Sequence, residues 1–146
     1  MADSTTRLRE ADLRATAPRV AVLDTLESAR IASEHLTATE IADRVAARIG
    51  AVSLQAVYDC LAALEQAELV RRIQPAGHPA HFEARVGDNH HHVVCRSCGR
   101  TEDIDCVVGE APCVHPSSAG GFVIDQAEIT FWGLCPDCAA SAAATP

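Results

Sequence analysis

Apolar residues recur at helical spacing through the first half of this chain and at alternating spacing in parts of the second. Leu8 and Leu13, in a charged segment with Arg7, Arg9 and Arg14 outside, predict a short first helix. Thr16 is placed as the N-cap of a second helix, with Pro18 tolerated in its first turn. Its apolar face is Val20, Val22, Leu23 and Leu26, ending near Ala29. Residues 31–36 read as a loop holding His35. Thr37 and Glu40 stand at capping-box spacing and open a third helix, whose apolar face is Ile41, Val45 and Ile49 and which Gly50 ends. Ser53 caps a fourth helix over 54–67, with Val57, Cys60, Leu61 and Leu64 inward and Gln55, Tyr58, Asp59 and Ala62 outward. Two short strands, 69–73 and 80–83, flank a turn from Pro75 to Pro79. Helix, turn, helix and basic hairpin make a winged-helix pattern. In that arrangement the recognition helix enters a DNA major groove by its N-terminal residues while wing arginines meet phosphates. A three-helix core with an ordinary hairpin gives the same pattern, so the pattern alone leaves DNA binding open.

Beyond the hairpin, residues 85–89 are polar and read as a hinge. Residues 90–95 predict a strand, 100–108 its partner, and 122–132 a further strand containing Phe122, Val123, Ile124, Ile129 and Phe131. Pro112, Pro116, Ser117, Ser118 and paired glycines argue against long regular structure over 109–121. The tail from 139 to 146 reads as frayed. The expected fold class is α+β. Residues 1–84 form the winged helix-turn-helix domain, 85–89 the hinge, and 90–146 a second α/β domain stapled by cysteines.

Composition changes this picture in one respect. Hydrophobic residues are 48% of the chain but aromatics only 3%, so Ala, Leu, Ile and Val must do most of the packing, which favours small helical units. No apolar run approaches the ~18 residues of a membrane span, and residues 1–14 lack the apolar core of a signal peptide. The expected compartment is a reducing cytosol, where seven cysteines serve as ligands or thiols. Net charge is −8, which by itself disfavours nucleic acid. Its distribution tells more. Residues 1–85 hold ten arginines against twelve acids, whereas 86–146 hold two against eight. Positive charge is thus concentrated where the winged helix is expected, and the acidic surplus lies where the candidate metal ligands stand.

Those ligands are the most specific chemistry in the chain. Cys95 and Cys98 form one C-x-x-C pair, Cys135 and Cys138 another. Two such pairs supply the four thiolates of a tetrahedral zinc site, each short turn bringing two sulfurs to about 2.3 Å from a shared ion. Two redox dithiols, or buried free cysteines, are the bland alternative. The long gap from 99 to 134 means that the site joins elements distant in sequence. Just ahead of Cys95 stand three consecutive histidines. On a strand His90 and His92 project to one side and His91 to the other.

Thr16-Ala-Pro-Arg19, Gln55-Ala-Val-Tyr58 and His90-His-His-Val-Val-Cys95-Arg-Ser-Cys98-Gly99, with the distant second C-x-x-C, resemble the ferric uptake regulator family of bacterial metalloregulators. The resemblance covers nearly the whole chain and looks closest to the actinobacterial, catalase-linked branch. It implies a cytoplasmic homodimer, with a C-terminal dimerisation domain, that represses transcription on double-stranded operator DNA when metal is bound. It implies structural Zn2+ on Cys95, Cys98, Cys135 and Cys138. It implies regulatory Fe2+ or Mn2+ (Zn2+ in a purified form) on His35, Glu83, His90, His92 and Asp103, a site drawing on both domains. DNA contacts fall to Arg14, Arg19, Ser53, Gln55, Ala56 and Tyr58. The branch also implies response to peroxide and control of oxidative-stress or iron-homeostasis genes.

The fit has departures. His91 and Glu110 match two positions of a further site in many members, but Asn89 and Ala127 stand where histidines are usual, so that site is expected to be weak or absent. Asp59 stands where many members are basic, and an acid there repels phosphate. The family's helix after the first C-x-x-C is hard to place over Pro112 and Pro116. Cys60, Cys106 and Cys113 are left over as core or surface thiols, with a redox role as the minority reading. Three other functions compete: a zinc-sensing uptake regulator, a metal-dependent hydrolase, and a metal-insensitive structural zinc protein. Against hydrolysis, there is no H-E-x-x-H pattern and no nucleophile with an evident base.

Overall fold

The computed structural model describes residues 2–88, 90–105, 116–124 and 127–144. It divides into two compact units, Met1–Gly87 and Asp88–Pro146. No single described helix is long and apolar enough to cross a membrane.

The first unit is held by helices whose ends are set locally. α1 (Ser4–Glu10) is capped by Asp3, which accepts from the Thr6 amide. It stops earlier than the sequence suggests, because Asp12 takes a left-handed φ of 57° and leaves Leu13 outside. α2 (Ala17–Ile31) starts after Thr16 with Pro18 in its first turn and buries Val22, Leu23 and Leu26. α3 (Ala38–Ile49) carries the full capping box, Thr37 and Glu40 exchanging side-chain and backbone hydrogen bonds. Gly50, at φ 88°, ends it. Its inward face is Ile41 and Val45; Ile49 is 44% exposed, because the helix has by then run past the core. α4 (Leu54–Gln66) is capped by Ser53 and buries Val57, Cys60, Leu61 and Leu64. Leu8, Leu36, Val70 and Phe82 join these side chains in one cluster.

Three short strands close this unit. β1 (Leu36–Thr37), β2 (Arg71–Ile73) and β3 (His81–Glu83) form an antiparallel sheet in the order β1-β3-β2. Leu36 faces Phe82 and Thr37 faces His81, while Arg72 faces Phe82 from the other side. The turn joining β2 to β3 is closed by the His78 amide donating to Pro75 O, with Gly77 at φ 78°.

An ion-pair cluster ties α1 to α2. Arg7 pairs with Glu27, and Arg30 Nε donates to Glu27 Oε2 at 2.9 Å. Burial raises the pKa of Glu27, but the hydrogen bonds and charges of Arg30 and Arg7 outweigh it and hold the carboxyl below its ordinary 4.5. A depressed carboxylate stabilises the fold above its unfolded pKa and loses that contribution as pH falls through the lower folded value. Glu27→Gln is therefore expected to melt below wild type at neutral pH. The gap should begin to narrow as pH falls below 4.5 and close once it is below the lowered folded value; a gap that persists in strong acid would place the stabilisation elsewhere.

Among the described residues, the second unit contains a three-stranded sheet, order β5-β4-β6. β4 (His90–Cys95) is central, pairing antiparallel with β5 (Thr101–Asp105) and parallel with β6 (Thr130–Gly133). The strand expected over 122–132 is much shorter: Gly120 and Gly121, at φ 56° and 86°, turn the chain, and residues 122–124 are not extended into the sheet. The tail is not frayed through residue 143. α5 (Pro136–Ala143) forms there, with Cys135 as N-cap and Pro136 in the first turn. The region expected to hold the family helix, with Cys106, Glu110 and Cys113, lies outside the described residues, as does Asn89.

Candidate functional site

The parallel β4–β6 register places Cys95 opposite Gly133. Both C-x-x-C turns thus leave the sheet at the same end. The first is shaped by the Gly99 amide donating to Cys95 O and the Cys95 amide to Arg100 O, both at 2.9 Å. The second is shaped by the Ala139 amide donating to Cys135 O at 2.8 Å. As a result the sulfurs of Cys95, Cys98, Cys135 and Cys138 all lie within 4.8 Å of one another. Cys98 and Cys135 Sγ are 3.8 Å apart. A disulfide would need about 2.05 Å, whereas two sulfurs each about 2.3 Å from a tetrahedral ion are about 3.8 Å apart.

Electrostatics give the same answer. Backbone amides of Cys98 and Cys135 donate toward Cys95 and, against some burial, bring its thiol down to about 6. Cys138 is lowered by the Ser97 hydroxyl, yet the sulfurs of Cys135, Cys98 and Cys95 push it up to about 12. The first thiolate forms easily and the last does not. Four coexist when a cation neutralises them, so this donor set fits zinc.

The residues expected to hold a regulatory ion fall into two sets, one in each unit. In the first unit, β1 continues the antiparallel register back to His35, opposite the end of β3. His35 Nε2 stands 3.1 Å from Glu83 Oε2, both side chains 3% exposed. β1 is two residues long, too short for a periodicity to reveal, yet it positions His35. His81, two residues before Glu83 on β3, is also buried, and its Nδ1 has no hydrogen-bond partner among the described residues. Burial first, then the charge of His35, lowers the pKa of His81, with Glu40 opposing. The sequence does not single it out, although its spacing from Glu83 shares a strand face.

In the second unit, β4 presents His90 and His92 toward Asp103 of β5. The Nε2 atoms of His90 and His92 lie 3.7 and 3.4 Å from Asp103 Oδ1. The two rings meet edge to face at 4.8 Å. Two donors each about 2.1 Å from one cation are roughly 3.0–3.4 Å apart at right or tetrahedral angles; the His92–Asp103 separation falls within that range, and the His90–Asp103 separation exceeds it by about 0.3 Å. His91 points elsewhere, its ring 6.4 Å from that of Phe131. Its sequence-suggested companion Glu110 is among the residues not described.

On α4, Ser53, Gln55 and Tyr58 are exposed and Ala56 half-buried. Ser53 Oγ accepts from the Ala56 amide at 3.0 Å, so its hydroxyl proton remains available. Gln55 Nε2 donates to Asp59 Oδ1 at 2.9 Å, one helical turn on. Arg14 is exposed, and Arg19 Nη1 donates to Arg14 O at 3.2 Å.

Comparison with known proteins agrees with these features. The model described as "Ferric uptake regulator family" matches residues 10–131. The chain is 54% identical over 139 residues to the transcriptional regulator FurA of Mycobacterium tuberculosis, covering 95% of this chain and 92% of that one. It is 51% identical to ferric uptake regulation protein 2 of Mycolicibacterium fortuitum, at 94% and 93% coverage. Among solved structures, the ferric uptake regulator of Pseudomonas aeruginosa with manganese superposes with a TM-score of 0.71 at 28% identity, over 91% of this chain and 98% of that one. The Vibrio cholerae regulator shares the fold at a TM-score of 0.73 and 24% identity, over 91% and 100%.

Proposed function

Because the chain belongs to the ferric uptake regulator family, we propose that it represses transcription by binding operator DNA as a homodimer in a metal-dependent manner. It is a transcriptional regulator and not an enzyme. The observation that carries the metal dependence is the convergence of His90 and His92 Nε2 on Asp103 beside an independent four-sulfur cluster. Cys95, Cys98, Cys135 and Cys138 would hold structural zinc. His35 and Glu83, with His90, His92 and Asp103, would hold the regulatory ion; the family pattern assigns both sets to one site. Imidazole and carboxylate donors suit ferrous iron, manganese or zinc, and affinity alone does not select iron. Bound there, a divalent cation would supply the charge that holds its imidazole and carboxylate ligands together, so that metal and DNA binding could be coupled.

Several features support the rest of the reading. Phe122, Val123, Ile124, Phe131 and Leu134, all in the second unit, are exposed large apolar side chains, as expected where a second copy docks. Arg14, Arg19, Ser53, Gln55, Ala56 and Tyr58 form the DNA-binding set. With one amide hydrogen directed to Asp59, Gln55 keeps its carbonyl oxygen to accept from a base amino group. Fluorescence anisotropy on duplex from the region next to its own gene tests the whole. Binding should appear on adding Mn2+ or anaerobic Fe2+ and weaken steeply with salt. Equal binding with and without metal would leave a structural zinc protein as the better account.

The catalase-linked resemblance further leads us to propose release by peroxide. His35, His90 and His92 would stand among the ligands of ferrous iron; the ion would supply the electron that reduces peroxide, and these imidazoles would be the nearest groups to gain oxygen. Cys60 is a poor rival: it is 8% exposed, and burial raises its pKa, against the pull of Arg19, so little thiolate forms. Equimolar peroxide should oxidise histidine and release DNA in the iron form and spare the zinc form, as read by peptide mass spectrometry. Release independent of metal and reversed by dithiothreitol would transfer the sensor role to thiols.

A further inference from the structure

We propose that Asp88 is a positioning residue of the regulatory site, fixing His90 in the tautomer that presents a lone pair on Nε2. The inference rests on reading His90, His92 and Asp103 as ligands. Asp88 itself belongs to no ligand pattern; by sequence it is one of the five residues of the hinge, beside Arg85 and Asn89.

The chemistry starts from the ring. A neutral imidazole carries one N–H and one lone pair, and whichever nitrogen meets an acceptor keeps the proton. Asp88 Oδ1 stands 2.5 Å from His90 Nδ1. The His90 side chain is 1% exposed, whereas Asp88 is 43% exposed. The ring is therefore walled in, and Asp88 reaches it from the solvent side. With the proton on Nδ1, the lone pair lies on Nε2, the atom facing Asp103 Oδ1 at 3.7 Å. The edge-to-face contact with His92 limits rotation of the ring. A carboxylate on the far nitrogen does two things for a metal-binding imidazole: it sets the tautomer and it makes the ligating nitrogen a better donor. Without Asp88 the ring would divide between tautomers, and the Nε2–H form cannot ligate through Nε2.

The local backbone explains why a residue just outside the strand can act this way. Gly87, at φ 78°, turns the chain immediately before Asp88, and a side chain there would be strained. Asp88 then lies two residues before His90, and its short side chain spans that distance.

The test uses full-length protein with zinc on its four cysteines, comparing wild type with Asp88→Ala, Asp88→Asn and His90→Ala. Long-range proton–nitrogen correlation spectra of the imidazoles, taken before Co2+ is added, should show the Nδ1–H tautomer of His90 in wild type and Asp88→Asn. Asp88→Ala should show a mixture. Co2+ titration followed by absorbance should give an affinity roughly 10–100-fold weaker for Asp88→Ala. Asp88→Asn still accepts a hydrogen bond and should recover most of the loss, which a general disturbance of the fold would not allow. The band shape should stay that of wild type, because no ligand has been removed. Wild-type affinity in Asp88→Ala, an unchanged tautomer, or a new band shape indicating that Asp88 itself ligates would each overturn the proposal. If His90→Ala binds Co2+ as tightly as wild type, the regulatory-site reading falls first and the positioning role with it.

Discussion

Cys98→Ser is expected to cost the protein its zinc, its proposed dimer and most of its thermal stability. The four sulfurs lie within 4.8 Å of one another, with Cys98 and Cys135 Sγ 3.8 Å apart, and would hold zinc tetrahedrally. Serine removes a corner, leaving three crowded sulfurs and no full coordination shell. Structural zinc in small domains contributes on the order of 10 kcal/mol or more of apparent binding energy, comparable to the whole stability of a domain. Among its described residues the second unit buries only Val94 and Cys95 of its apolar side chains, little to offset such a loss. α5 has no buried residue and is tied to the sheet by Cys135 and Cys138. Zinc content by elemental analysis, mass by sedimentation and a thermal melt decide the matter. A Cys98→Ser protein that keeps zinc and melts with wild type would remove the structural assignment.

His92→Ala should have the opposite profile: an intact zinc fold that no longer responds to metal. His92 Nε2 lies 3.4 Å from Asp103 Oδ1, and His92 sits mid-strand, three residues from Cys95. Losing it leaves the four sulfurs untouched while opening the regulatory set. Coupling between a metal and DNA binding is typically about 1–3 kcal/mol, a factor of roughly 5–150 in affinity. In His92→Ala that factor should collapse toward one in anisotropy titrations with Mn2+, at unchanged zinc content. A full metal response would show that His92 is not a regulatory ligand.

Much of the first unit is legible in the sequence because its determinants are local. Thr37 and Glu40 satisfy each other within one turn, Ser53 caps α4, and Val57, Leu61 and Leu64 turn inward at helical spacing. Ile49 fails for a non-local reason: spacing says which face it is on, and only packing says where the core stops. β1 is invisible for the same reason, since Leu36 and Thr37 are a strand only because Phe82 and His81 lie beside them. The family resemblance named His35 and Glu83; what it could not give is the register that brings them within 3.1 Å. In the second unit, the cysteine spacing announces the zinc site, but the parallel pairing of β4 with β6 has no sequence signature. Asp88 was hidden by its neighbours: among Arg85, Gly87 and Asn89 a carboxylate looks like hinge polarity.

β4 runs from His90 to Cys95, so one six-residue strand carries histidines of the regulatory set and a sulfur of the zinc set. Three histidines in a row make the sequence blind to register. A slip of one residue would present His91 where His90 or His92 belongs, with an imidazole still on offer but the wrong face turned inward. Cys95 breaks that degeneracy, because its sulfur reaches the cluster only when it stands opposite Gly133. Zinc held by those four sulfurs would act as a ruler, deciding which of three chemically identical side chains faces Asp103 by fixing where the strand ends.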